Sequence, residues 1–120
     1  MATLQATLNI TSPDATSEQL AISQTDAITV TNPVQNTSRI DVGSVSAEVI
    51  IPAAKAATTY VYLKNTAATN SLDLAEAATS VSFGTLDPGE WAFLPVKASV
   101  GLELTASAST VVLEYGLWTQ

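Results

Sequence analysis

The sequence predicts an all-β fold. It reads as an antiparallel β-sandwich, of which a jelly roll is one form, with about eight to ten strands. Three observations predict it. Short runs of alternating apolar and polar residues recur along the chain. Turn-forming residues separate them every ~8–12 positions. No segment carries a convincing helical period.

Between Thr3 and Ile10, residues Leu4, Ala6, Leu8 and Ile10 alternate with Thr3, Gln5, Thr7 and Asn9. Strict period two marks a half-buried strand, and Ser12-Pro13-Asp14 ends it. Within a single domain spanning 1–120, residues 1–12 therefore read as an N-terminal strand or arm. Leu20–Val30 carries Leu20/Ile22 and Ile28/Val30 around a polar centre. This is either a hairpin turning at Thr25-Asp26 or one strand with a bulge. Asn32-Pro33 stops it, because proline cannot donate to a sheet ladder, and 34–38 reads as loop. Arg39–Ile51 reads as one alternating strand bent by a bulge at Gly43 and closed by Pro52. The alanine-rich 53–57 reads as loop. Tyr60–Leu63 is apolar on both faces, the composition of a central strand. A polar loop runs through Asn70, and Leu72-Asp73-Leu74 is a short strand.

Leu86-Asp87-Pro88-Gly89-Glu90 is the strongest local signal. Proline presets φ for one central turn position and glycine accepts the positive φ of the next, so Asp87, Pro88, Gly89 and Glu90 should form a type II turn. Val81-Ser82-Phe83 precedes it and Trp91–Leu94 follows, so the expectation is a hairpin. Leu102–Ala106 is a further strand. The last carries Val111, Leu113, Tyr115 and Leu117 in alternation and ends at Trp118.

Composition narrows the function. With 47% hydrophobic residues over 120 positions the chain can build a core without a disulfide or metal. It has no cysteine and no histidine, which removes thiolate metal sites and the commonest general base. The net charge is −7, and the only basic residues are Arg39, Lys55, Lys64 and Lys97, scattered. A nucleic-acid binder needs a basic patch, and an anionic membrane repels such a chain, so neither partner is expected. No stretch reaches the ~18 apolar residues of a membrane span, and MATLQATLNITSP lacks the pattern of a signal peptide. Asn9-Ile10-Thr11 and Asn36-Thr37-Ser38 match the glycosylation pattern by chance on that reading. Only 12% of residues are charged, against about 25% in an average soluble domain. A surface of Thr, Ser, Ala, Asn and Gln is covered by neighbours at little desolvation cost. That composition suits an assembly subunit, and equally a β-rich fold of any function.

Catalytic chemistry is missing from the pattern. Asp87/Glu90 and Asp73/Glu76 are the carboxylate pairs, and both read as structural, since Asp at a turn bonds its own backbone. Asn65, Asn70 and Asp73 lack the spacing of a calcium loop. No histidine activates a serine, no G-x-S-x-G elbow is present, and the five glycines are dispersed. Lys64 and Lys97 read as strand-end charges. The expectation is no enzyme, no catalytic residue, no metal and no cofactor. Phe83, Trp91 and Phe93 are expected in the core. Trp118 should dock on its own domain or on a neighbour. Leu4, Leu8, Ile10, Leu117 and Trp118 are the candidate interface.

Tyr60-Val61-Tyr62-Leu63-Lys64-Asn65, the Leu86-x-Pro88-Gly89-Glu90 turn with its apolar strand, and Glu114-Tyr115 together resemble small structural proteins of tailed-bacteriophage virions. The likeness runs from Thr58 to Trp118. It implies a β-sandwich that oligomerises, with a trimer favoured, on the capsid surface after synthesis in the host cytoplasm. The implied role is a capsid decoration, or cement, protein. Its partner would be the major capsid protein or another virion protein, and the N-terminal arm would add a strand to a neighbour. The alternative is a head fibre, tail or fibre-associated module that binds a host glycan. That alternative predicts aromatics beside carboxylates at loop tips, with Tyr60, Tyr62 and Trp91 as candidates.

Overall fold

The computed structural model describes residues 2–31 and 37–120. The stop expected at Asn32-Pro33 and the loop over 34–36 lie outside the described residues. The chain divides into two compact units, Met1–Pro33 and Val34–Gln120.

In the first unit, β1 (Ala2–Ser12) and β2 (Leu20–Val30) pair antiparallel. The register is unbroken from Ala2 opposite Val30 to Ser12 opposite Leu20. Leu20–Val30 is thus one continuous strand, with neither a turn at Thr25-Asp26 nor a bulge. Residues directly opposite share a face. One face of the ribbon therefore carries Leu4, Leu8, Ile10, Ile22 and Ile28, with Gln24 and Asp26 among them, and the other Thr3, Thr7, Asn9, Ser23, Thr25 and Thr29. On the polar face the hydroxyls of Thr7 and Thr25 are 3.1 Å apart. The Ser12 hydroxyl oxygen accepts the N–H of Ala15 at 3.0 Å and starts the connection to β2.

The second unit contains β3 (Ser38–Val42), β4 (Glu48–Ile51), β5 (Thr59–Asn65), β6 (Leu72–Ala75), β7 (Ser82–Leu86), β8 (Trp91–Val96), β9 (Leu102–Ala106) and β10 (Val111–Thr119). First pairs with last throughout: β3 with β10, β4 with β9, β5 with β8, β6 with β7, all antiparallel. The unit is one long ribbon with its tip between β6 and β7, folded back on itself. Additional pairing of β10 with β5 and of β9 with β6 closes two sheets, β3-β10-β5-β8 and β4-β9-β6-β7. This is the strand order of a jelly-roll sandwich. Among the described residues there is no helix.

Two local expectations are corrected by this topology. Arg39–Ile51 is not one bent strand. It breaks after Val42, and Gly43-Ser44-Val45-Ser46-Ala47 carries the chain from one sheet to the other. The Asp87–Glu90 turn forms as read: Glu90 N–H donates to Asp87 O at 3.0 Å and Gly89 has φ 82°. However, the strands on its two sides do not pair with each other. β7 pairs with β6 and β8 with β5, so the turn joins opposite sheets. Strand β5 is central in its sheet, between β10 and β8.

The core is aliphatic. Leu63, Leu72, Leu102, Leu104, Leu113, Val42, Val61 and Val111 are fully buried between the sheets. Each such side chain contributes roughly 1.5–3 kcal/mol relative to an exposed one. The ends of the sandwich are laced by loop hydrogen bonds. At one end Ala106 N–H bonds Gly43 O and Ser107 N–H bonds Ser71 O. At the other, Ser99 N–H bonds Lys55 O and Ala78 N–H bonds Val100 O.

Candidate functional site

Pairing registers decide which side chains share the outer face of the β3-β10-β5-β8 sheet. Val61, Leu63 and Leu113 point into the core, so their strand neighbours point out. Lys64 lies opposite both Glu114 and Trp91, and Arg39 lies opposite Glu114. In the next outward row Tyr62 lies opposite Gly116 and Phe93. In the row after that, Tyr60 lies opposite Trp118 and Pro95. Both tryptophans, two of the three tyrosines and one of the two phenylalanines thus sit on one sheet face.

This overturns the expectation that Phe83, Trp91 and Phe93 pack in the core. Trp91 is 55% exposed, and Phe83, on the other sheet, is 54% exposed. Phe93 is half-buried on the outer face. β8 alternates two apolar sets, and the smaller one, Ala92, Leu94 and Val96, is the one turned to the core. Nor do Tyr60, Tyr62 and Trp91 lie at loop tips. They stand on adjacent central and edge strands.

The rings on this face are packed together. Tyr60 and Phe93 are stacked, with centroids 6.1 Å apart and planes 17° apart. Phe93 and Trp118 are 6.5 Å apart and tilted by 48°. Gly116 lets the Trp118 indole lie down on the sheet: a Cβ there would stand 2.6 Å from Cη2 of that ring. The polar end of the face is also organised. The Tyr62 hydroxyl donates to one carboxylate oxygen of Glu114 at 3.2 Å, and the Arg39 guanidinium donates to the other at 3.2 Å. Arg39 is largely exposed, so the ion pair orients Glu114 more than it stabilises the fold.

Burial first, then the hydrogen bond to Glu114 and its negative charge, hold the Tyr62 phenol above the ordinary tyrosine value. A raised folded-state value favours the protonated form in the folded protein. The resulting stability is complete below about pH 10 and is lost as pH rises through the folded value. Ultraviolet titration should show a tyrosine component ionising above the ordinary tyrosine value. Tyr62→Phe should remove that component, and an unchanged curve would refute the assignment.

The carboxylates and the asparagine singled out in the sequence make hydrogen bonds within the fold. Glu90 Oε2 accepts Asp87 N–H at 2.8 Å, which caps the turn. Asp73 accepts the Ser82 hydroxyl, and Glu76 accepts the Thr79 hydroxyl at 2.7 Å. Asn65 is fully buried. Its Nδ2 donates to Asn70 O at 2.8 Å and Leu86 O at 3.0 Å, and its Oδ1 accepts Ala67 N–H at 2.9 Å. The amide thereby ties the loop after β5 to both sheets. Of the candidate interface, Leu8 and Ile10 are exposed on the apolar ribbon face and Leu4 is half-buried. Leu117 packs against the core, and Trp118, next to it, lies on the outer sheet face. A groove of about 290 Å³ on the sandwich flank is lined by Phe83, Leu94, Pro95 and Val96, with Glu76 and Lys97 among its polar residues.

Sequence reading missed Asn65 as an anchor and Gly116 as a seat for Trp118. The second had a signal: a glycine two positions before a tryptophan in a strand lies beneath it on the same face. No family model, curated protein or solved structure matches this chain.

Proposed function

We propose that the protein is a non-enzymatic structural component of a bacteriophage virion, of the capsid decoration kind. In this reading it forms a homo-oligomer, with a trimer favoured, that bridges neighbouring major capsid proteins on the capsid surface. The residues resembling virion proteins, from Thr58 to Trp118, support it. The observation that carries it is the amphipathic ribbon of β1 and β2. Its apolar face leaves Leu8 41%, Ile10 42% and Ile22 38% exposed. An isolated two-stranded ribbon is marginal in water, so an apolar face of this kind is suited to attachment. Its acidic residues, Asp14, Glu18 and Asp26, are accompanied by no lysine or arginine, which disfavours ribbon-on-ribbon association and favours a neutral or basic neighbour. Several modest contacts made by one oligomer reinforce each other through effective concentration.

The doubly substituted Leu8→Asp/Ile10→Asp protein should keep the jelly roll, read by circular dichroism. It should bind undecorated capsids at least about 100-fold more weakly, from the loss of two apolar anchors. Undiminished capsid binding would overturn the ribbon's role. A monomeric mass by native mass spectrometry would overturn the preformed trimer.

A further inference from the structure

We infer that the outer face of the β3-β10-β5-β8 sheet is a binding platform for a short run of pyranose sugars. The inference does not rest on the decoration role.

Size comes first. The aromatic patch spans three strands about 4.8 Å apart and the stretch from Trp91 to Pro95, on the order of 200–250 Å². A standard protein interface takes ~800 Å² from each partner, so this patch is too small to hold a second copy or another folded protein by itself. It matches a flat, narrow ligand. Nucleic acid is flat too, but a chain of net charge −7 repels it.

A pyranose presents C–H bonds on its faces and hydroxyls around its rim. The C–H faces suit the electron-rich faces of aromatic rings. Here Trp118, Phe93 and Tyr60 form one continuous row of packed, half-buried rings. Gly116 keeps it low by letting the indole lie against the sheet. Trp91 is the exposed ring beside it, and Lys64 lies across from Trp91 in the row that contains Glu114 and Arg39. These charged groups suit rim hydroxyls, through charge-assisted hydrogen bonds. Glu114 is already oriented from two sides by Tyr62 and Arg39. Binding therefore has little ordering to pay for at the carboxylate.

The test uses the whole chain on an array of defined neutral and acidic oligosaccharides, followed by solution titration of each binder. Both tryptophans lie on the platform, so intrinsic fluorescence reports occupancy directly. The expected result is saturable binding to at least one pyranose oligosaccharide with a change in tryptophan emission. Trp91→Ala removes an exposed ring and leaves the core intact. It should weaken that binding about tenfold or more. Gly116→Ala, which lifts the indole, should weaken it as well. Leu8→Asp, on the ribbon, should bind sugar as the parent does. Absence of any saturable binder on the array overturns the inference, as does binding that Trp91→Ala leaves undiminished.

Discussion

Asn65→Ala should cost about 3 kcal/mol or more, the largest loss expected from any single polar side chain among the described residues. The side chain is fully buried and makes three hydrogen bonds, to Asn70 O, Leu86 O and Ala67 N–H. Alanine leaves all three backbone groups without that partner. A buried group so stranded costs roughly 1–3 kcal/mol. The damage also spreads along the backbone. Asn65 N–H donates to Glu90 O at 2.9 Å, and Gly89 N–H donates to Asn65 O at 3.0 Å. The residue therefore ties the end of β5 to the Asp87–Glu90 turn, while its side chain ties the turn's entry at Leu86 to the loop after β5. In a two-state thermal melt the loss should lower Tm by about 12 °C or more. Asn65→Asp should be little better. It retains an acceptor for Ala67 N–H but sets a carboxylate against two carbonyl oxygens. A melt for Asn65→Ala within a few degrees of the parent would show that water replaces these bonds.

Gly101→Ala should be the second large effect, at about 2–5 kcal/mol. Gly101 has φ 73°, a conformation that costs a residue bearing Cβ about 1–2 kcal/mol. The rest is steric. A Cβ there would stand 2.5 Å from Ile51 O, 2.8 Å from Ala53 N and 2.9 Å from Ala77 Cβ. Two of those atoms are backbone and cannot rotate away. They belong to the segment leaving β4, and Ala77 to the segment leaving β6, so relief requires parting loops that close one end of the sandwich. Gly89 is the internal control. Its φ is 82°, but nothing lies within 4 Å of a Cβ there. Gly89→Ala should cost only the backbone share, about 1–2 kcal/mol. Urea denaturation of the two variants separates the causes: equal losses would mean that the loops yield freely around Gly101.

The contrast between these glycines shows how far the sequence could be read. Gly89 was legible because Pro88 precedes it and a Pro-Gly pair defines its own turn. Gly101 gave no such sign, since its neighbours Ile51 and Ala77 are distant in sequence. Asn65 was equally opaque. An asparagine at a strand end reads as the start of a polar loop, and only the approach of Leu86 from the opposite sheet makes it a buried anchor. The aromatic face was hidden for another reason. In β8 both alternating sets, Trp91/Phe93 and Ala92/Leu94/Val96, are apolar, so periodicity cannot choose the inward one. The same holds for Tyr60/Tyr62 against Val61/Leu63 in β5.

By itself the sequence determined the all-β class, most strand positions and the Asp87–Glu90 turn, because alternation and turn chemistry are set by residues a few positions apart. It also determined that histidine and cysteine chemistry are absent. Tertiary structure alone decided that β7 pairs with β6 and not β8, that Arg39–Ile51 splits between two sheets, and that the aromatic rings line an outer face. Those outcomes depend on pairing between strands far apart in the chain. The β3–β10 and β4–β9 pairs bring the two ends of the jelly roll together, and local sequence carries no record of which partner a strand will meet.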